Sequence, residues 1–163
     1  EAKKQNQPLA FALSDITALA SAKFGYSAED VLNTCQALYE THKLTSYPRT
    51  DCAYLPESQH ADAPRVLEAI KHVNPELAGL VDGADPRIKS KTWDDSKITA
   101  HHGIVPTMQK GSKAALSERE RNIYDLIVRA YLAQFYPLHE YMQTTVGVEI
   151  ARSAVGYARS MLE

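Results

Sequence analysis

Leu44-Thr45-Ser46-Tyr47-Pro48-Arg49-Thr50-Asp51-Cys52-Ala53-Tyr54-Leu55-Pro56 sets a phenol beside a fixed bend, with a guanidinium two residues further on. Pro48 holds its own φ near about −65° and pushes Tyr47 out of the helical region. In an extended chain, residues two apart project to the same side. Tyr47 and Arg49 can therefore face one phosphate together, while Thr50 and Asp51 are suited to bonding local backbone amides. A phenol with a pKa of about 10 is a weak nucleophile at neutral pH. It becomes useful only with a cation, a base or a metal close by. The stretch by itself admits two readings: a Tyr-Pro turn with a surface arginine, or an oxygen nucleophile with a cation beside the anion it attacks.

Working outward towards the N-terminus, Ser27-Ala28-Glu29-Asp30 predicts a helix start, with Ser27 as the cap and acidic residues in the first turn. Val31, Leu32, Cys35, Leu38 and Tyr39 form its apolar stripe, and His42 and Lys43 suit its negative end. The tyrosine segment follows at once, so the phenol is expected at the exit of a packed helix. An earlier helix is expected to open at Ser14, run through Ile16, Leu19, Ala20 and Phe24, and stop at Gly25. Residues 1–7 read as a polar, flexible lead-in.

Towards the C-terminus, a helix is expected from Pro56-Glu57 to Val73, with Val66, Leu67, Ile70 and Val73 inward, broken by Asn74-Pro75. Glu76–Val81 reads as one more short helical piece, and residues 82–99 as loop. In that loop Trp93 offers a stacking platform for a base or a pin that fastens the loop to the core, and the second is the better supported because large aromatics dominate burial. Asp94-Asp95 reads as a solvated turn or a cap, not a metal site, since adjacent carboxylates diverge and no third acidic ligand is spaced to join them. Ser117-Glu118-Arg119-Glu120 is a capping box opening the longest helix, to about Phe135, with Ile123, Leu126, Ile127, Ala130, Tyr131 and Gln134 along one side. Alternation over Tyr141–Ile150 predicts a strand, with 153–162 as its hairpin partner.

The chain of 163 residues suits one domain with part of a second, and 44% hydrophobic against 23% charged residues is enough to build a core. No apolar run reaches the roughly eighteen residues of a membrane span, so no membrane partner is expected. Cys35 reads as a small core residue, and Cys52, beside the tyrosine segment, as an accessible thiol incidental to the site. The net charge of −2 argues against binding nucleic acid by bulk charge alone. The chain starts at Glu1 and stops at Glu163 straight after an expected strand, so both ends read as cuts inside a longer protein.

Tyr47-Pro48-Arg49-Thr50-Asp51, preceded by Leu38-Tyr39-Glu40-Thr41-His42-Lys43-Leu44-Thr45 and followed by Tyr54-Leu55-Pro56, resembles the active-site segment of type IA DNA topoisomerases, with the topoisomerase III branch the nearer match. About fifty residues on, Ala100-His101-His102-Gly103-Ile104-Val105-Pro106-Thr107 resembles the family's His-x-x-Ile-x-Pro-Thr/Ser segment. Two matches in the family's order are more specific than either alone, and the similarity runs from about Pro8 to the end of the chain. His102-Gly103 stands where relatives often carry other residues.

The resemblance implies a mainly α (α+β) fold: the helical, movable domain that carries the catalytic tyrosine, over 13–139, with a lead-in over 1–12 from a neighbouring domain and a β segment over 140–163 belonging to the adjoining arch domain. It implies Tyr47 as nucleophile, Arg49 as the phosphate-binding cation, and His101 and Thr107 as further DNA contacts. It also implies single-stranded DNA as partner, together with the enzyme's remaining domains. Among these, a Toprim domain would supply the carboxylates for Mg2+, leaving no metal or cofactor in this stretch, and the enzyme would be cytoplasmic, bacterial in type and nucleoid-associated. Read without the resemblance, the alternatives are a non-catalytic helical or winged-helix-like DNA-binding module, which lacks its basic recognition helix here, and a helical adaptor with no chemistry. His42-Lys43, the Tyr124, Tyr131, Phe135, Tyr136 group, and Lys110, Lys113, Arg119 and Arg121 are expected to be structural.

Overall fold

In the computed structural model, residues 2–5, 7–137 and 139–142 are described. Strand β1 (Ala2–Gln5) comes first, then α1 (Leu13–Phe24) and α2 (Ala28–Glu40). A 3-10 turn at Glu57–Asp62 leads into α3 (Ala63–Val73), and a second at Pro75–Leu77 into α4 (Ala78–Gly83). Short 3-10 turns at Asp95–Lys97 and Lys113–Ala115 precede α5 (Glu118–Ala133), and β2 (His139–Met142) follows. The fold is mainly helical, as expected.

Its core is the shared ground of α1, α2 and α5. Ile16, Ala20, Val31, Cys35, Leu38, Ile123, Leu126 and Ile127 are all fully buried there. Most caps are those the side chains predict. Ser27 accepts the Asp30 N–H at 3.1 Å, Gly25 closes α1 at φ 74°, and Ser117 and Glu120 cap each other's backbones at 3.2 and 2.8 Å.

Four expectations need correction. Helix α1 opens at Leu13 with Ala12 as the extended cap residue, and Asp15, not Ser14, serves it by accepting the Ala12 N–H at 2.9 Å. The single helix expected over 56–73 is a 3-10 turn followed by α3, because Pro64 has no N–H to donate and its ring excludes the carbonyl four residues back. The lead-in is not wholly irregular: Ala2–Gln5 forms β1, which pairs antiparallel with β2 in the register Ala2↔Met142 to Gln5↔His139. Cys52 is buried at 7% exposure, with its sulfur accepting the Tyr54 N–H, so it is not an accessible thiol. The expected strand over 141–150 is described only as far as Met142, and its partner over 153–162 lies outside the described residues.

Gln134 is fully buried yet satisfied. Its amide donates to the Pro8 and Ala130 carbonyls and its oxygen accepts the Ser90 hydroxyl at 2.6 Å, tying the lead-in and the long loop to α5. Among the described residues, no helix is long and apolar enough to cross a membrane.

Candidate active site

The exit of α2 sets the direction of the tyrosine segment. The Thr41 and His42 N–H groups both return to the Ala37 carbonyl, and Lys43 takes a left-handed φ of 57°. That reversal lets the Leu44 N–H reach the Leu38 carbonyl at 2.9 Å and drops the Leu44 side chain into the core at 2% exposure.

From Leu44 the chain runs antiparallel to 103–107. The Thr107 N–H donates to Leu44 O and the Ser46 N–H to Val105 O, both at 2.9 Å. The Ser46 hydroxyl accepts the Val105 N–H at 2.9 Å and donates to the Gly103 carbonyl at 3.3 Å. Two motifs about fifty residues apart in sequence thus become neighbouring extended segments, joined at an isolated antiparallel bridge between Thr45 and Pro106. On the far side, the Ile104 N–H bonds Phe11 O and the Gly103 N–H bonds Tyr54 O, each at 2.8 Å. The packing at Gly103 is tight: a Cβ there would meet the Ala10 Cβ at 3.0 Å, the Leu55 Cδ2 at 3.3 Å and the Ala53 backbone at 3.4 Å, so its neighbours would have to give way. The Leu13 N–H, an unpaired donor at the start of α1, is satisfied by Thr50 O at 2.9 Å.

Tyr47 therefore projects from a pinned backbone. The residue is 38% exposed, and its hydroxyl has no hydrogen-bond partner among the described residues. The His101 ring lies 5.4 Å away, centroid to centroid, tilted by 35°, and the Tyr39 ring 5.5 Å away, edge to face at 77°. Arg49 is exposed, and no described carboxylate pairs with it. Arg49 and His101 line one open concavity with Leu13, Ser14, Thr50 and Asp51, while His101 also lines another with Tyr47, Ala100 and His102. His101 is the hinge between the phenol and the guanidinium.

By contrast, Tyr124 and Tyr131 are buried, and burial pushes both phenols above their usual range, so neither is placed to act as a nucleophile.

The adjacent His102 borders the Tyr47 concavity, but its ring nitrogens are engaged elsewhere. Its Nδ1–H donates to the Gly103 carbonyl at 2.7 Å, and the Gln59 amide approaches its Nε2 at 3.5 Å. Thr107 stands apart from Tyr47 and Arg49. Its hydroxyl donates to the Lys43 carbonyl at 2.7 Å and accepts the Gln109 N–H at 3.2 Å, fastening the left-handed turn at the exit of α2. It lines a separate cavity of about 230 Å³ with Ser46, Gln59, Trp93, His102 and Tyr131.

Sequence reasoning missed two residues here. Ser46 looked like an ordinary neighbour of the tyrosine, and nothing in the linear pattern showed that its hydroxyl would lock the histidine loop. Tyr39 was assigned to the apolar stripe of α2. Its place at the last turn, where the stripe runs out of core to face, was the available signal.

Several residues expected to be structural have structural partners. Trp93 is 5% exposed and packs edge-on against His60 at 5.0 Å, Asp94 caps the Asp95–Lys97 turn, and His42 meets Glu120 at 3.2 Å. Lys113 pairs with Glu76 at 3.0 Å and Arg119 with Asp30 at 3.3 Å. Among the described residues no three His, Cys, Asp or Glu side chains converge to hold a metal ion.

A family model described as DNA topoisomerase matches residues 1–161. The chain is 46% identical over 148 residues to DNA topoisomerase 3 of Vibrio cholerae, covering 91% of this chain and 23% of that protein. It is 41% identical over 162 residues to DNA topoisomerase 3 of Salmonella typhimurium, covering 99% of this chain and 25% of that protein. The chain thus spans about a quarter of the length of these relatives. Full-length topoisomerase I from Thermotoga maritima shares the fold at a TM-score of 0.58 and 22% identity, over 90% of this chain and 24% of that structure. The chain belongs to the type IA DNA topoisomerase family and is similar to its topoisomerase 3 members.

Proposed function

We propose that Tyr47 is the nucleophile of a topoisomerase 3 reaction on single-stranded DNA. The Tyr47 oxygen attacks a backbone phosphorus. A tyrosine O–P bond forms, the bond from phosphorus to the 3′ oxygen breaks, the phenolic proton leaves, and the departing 3′ oxygen gains one. The product is a 5′-phosphotyrosine. Because the ester keeps the bond energy, the 3′ hydroxyl can reverse the step and reseal the strand without ATP.

Phosphoryl transfer of this kind depends on positioning and charge stabilisation more than on covalent help. Arg49, planar and always charged, is suited to two phosphate oxygens. His101, when protonated, adds a second cation beside the same phosphate. The observation that carries the reading is the solvent-facing Tyr47 ring in contact with His101, which shares its other concavity with an Arg49 that has no ion-pair partner among the described residues.

The remaining domains of such an enzyme, a Toprim domain with Mg2+ among them, would complete the site and the strand passage that relaxes or decatenates DNA. In this reading 13–139 is the movable unit, and the segment from 140 onward joins it to the arch. The setting is the bacterial cytoplasm, at the nucleoid. The test is a covalent adduct trapped on a single-stranded oligonucleotide by an intact topoisomerase 3 carrying this chain, mapped by mass spectrometry. The adduct should sit on Tyr47 and vanish in Tyr47→Phe; an adduct on any other side chain would overturn the assignment.

A further inference from the structure

We propose that Tyr39 is a positioning residue for the reaction at Tyr47: with His101 it forms an aromatic clamp that aims the phenol at the incoming phosphate. The inference rests on the reading of Tyr47 as nucleophile. Pro48 restricts the backbone at Tyr47, but it does not restrict the side-chain torsions. Tyr47 is 38% exposed and its hydroxyl is unpartnered among the described residues, so no hydrogen bond there fixes the direction of its oxygen and contacts to the ring take on that role. Among the described residues two aromatic rings meet it, Tyr39 in a T-shaped arrangement at 5.5 Å and 77°, and His101 tilted at 5.4 Å and 35°. No ring contact joins Tyr39 to His101, so each restrains the phenol independently. The edge-to-face arrangement is the one the ring quadrupoles favour.

Both jaws are mounted on rigid supports. Tyr39 stands on the last turn of α2, one residue beyond Leu38, which is fully buried. His101 stands on the loop that Ser46 locks through the Gly103 carbonyl and the Val105 amide. Tyr39 is itself 37% exposed, and its hydroxyl has no partner among the described residues. Its ring against Tyr47, not its oxygen, is therefore what the fold uses. Holding a nucleophile near its attack geometry removes rotational freedom that would otherwise be lost in the transition state.

The test uses an intact topoisomerase 3 carrying this chain and a single-stranded oligonucleotide, with adduct formation followed in single turnover across DNA concentrations. Tyr39→Phe should stay within about twofold of the parent rate, because the ring edge remains. Tyr39→Leu should lower the saturating rate about three- to tenfold while leaving half-saturation and the melting temperature unchanged. An unchanged saturating rate with weakened DNA affinity in Tyr39→Leu would make Tyr39 a base platform and overturn the clamp. Equal losses in Phe and Leu would assign the effect to the hydroxyl and overturn it as well. If the parent adduct maps away from Tyr47, the underlying reading fails; if it maps to Tyr47 and Tyr39→Leu behaves as the parent, the clamp alone fails.

Discussion

Tyr47 and Thr107 come from two motifs of the same family likeness, yet the fold treats them differently. The Tyr47 hydroxyl is unpartnered among the described residues, whereas the Thr107 hydroxyl already has a donor and an acceptor. Thr107 accordingly reads first as a staple on the left-handed Lys43 turn. Thr107→Ser should keep both bonds and stay close to parent stability. Thr107→Val should cost about 1 kcal/mol in chemical denaturation, since it leaves the Lys43 carbonyl and the Gln109 amide to solvent. A loss of DNA affinity in Thr107→Val without any loss of stability would instead support a direct phosphate contact. Cys35 illustrates the opposite extreme: full burial pushes its thiol up to about 12, which keeps it neutral and inert inside the core.

At the scale of elements, the site depends on the start of α5 as much as on the end of α2. Glu120 caps Ser117 and also meets His42, so one carboxylate joins the opening of α5 to the turn that delivers Tyr47. Burial raises the Glu120 pKa, but the Ser117 amide and the His42 imidazole together outweigh it and hold the carboxyl below its usual value of 4.5. A group depressed in the folded state adds stability above its unfolded pKa and loses it as pH falls through the folded one. The parent should therefore lose more stability than Glu120→Gln between about pH 6 and about pH 3, measured by thermal melts. Ser117→Ala, which removes the other half of the cap, should cost about 1 kcal/mol near neutral pH. If the two titration curves ran parallel, Glu120 would not be acting as a charged clasp.

At the scale of the whole molecule, a net charge of −2 leaves little long-range attraction for a phosphate chain. Part of the positive charge is already engaged: Lys71 pairs with Asp82, Lys89 with Glu57, Lys113 with Glu76 and Arg119 with Asp30. On the proposed reading, binding by this chain alone would rest on a few groups around Tyr47. The isolated 163-residue chain should fold, should not relax supercoiled DNA, and should bind single-stranded oligonucleotides more weakly than about 1 μM at physiological salt. A sub-micromolar dissociation constant by fluorescence anisotropy would contradict this and imply a longer DNA track on the surface.

Helix existence, most caps and the candidate nucleophile were legible in the linear chain, because each depends on short-range chemistry: Ser27 and Ser117 bond amides three residues on, Gly25 accepts a left-handed φ, and Pro48 bends the chain next to Tyr47. The break at Pro64 was equally local and was overlooked in favour of the apolar stripe. What only the tertiary structure decided is which side chains meet. Ser46 finds the 103–105 backbone, Tyr39 leans on Tyr47, and residues 2–5 pair with 139–142 because distant segments are brought together by burying Leu44, Ile104 and the core of α1, α2 and α5. Packing of that kind is a sum over many weak, non-directional contacts. It leaves no mark at a fixed spacing in the chain, so the partners of Tyr47 emerged only once the fold had closed around it.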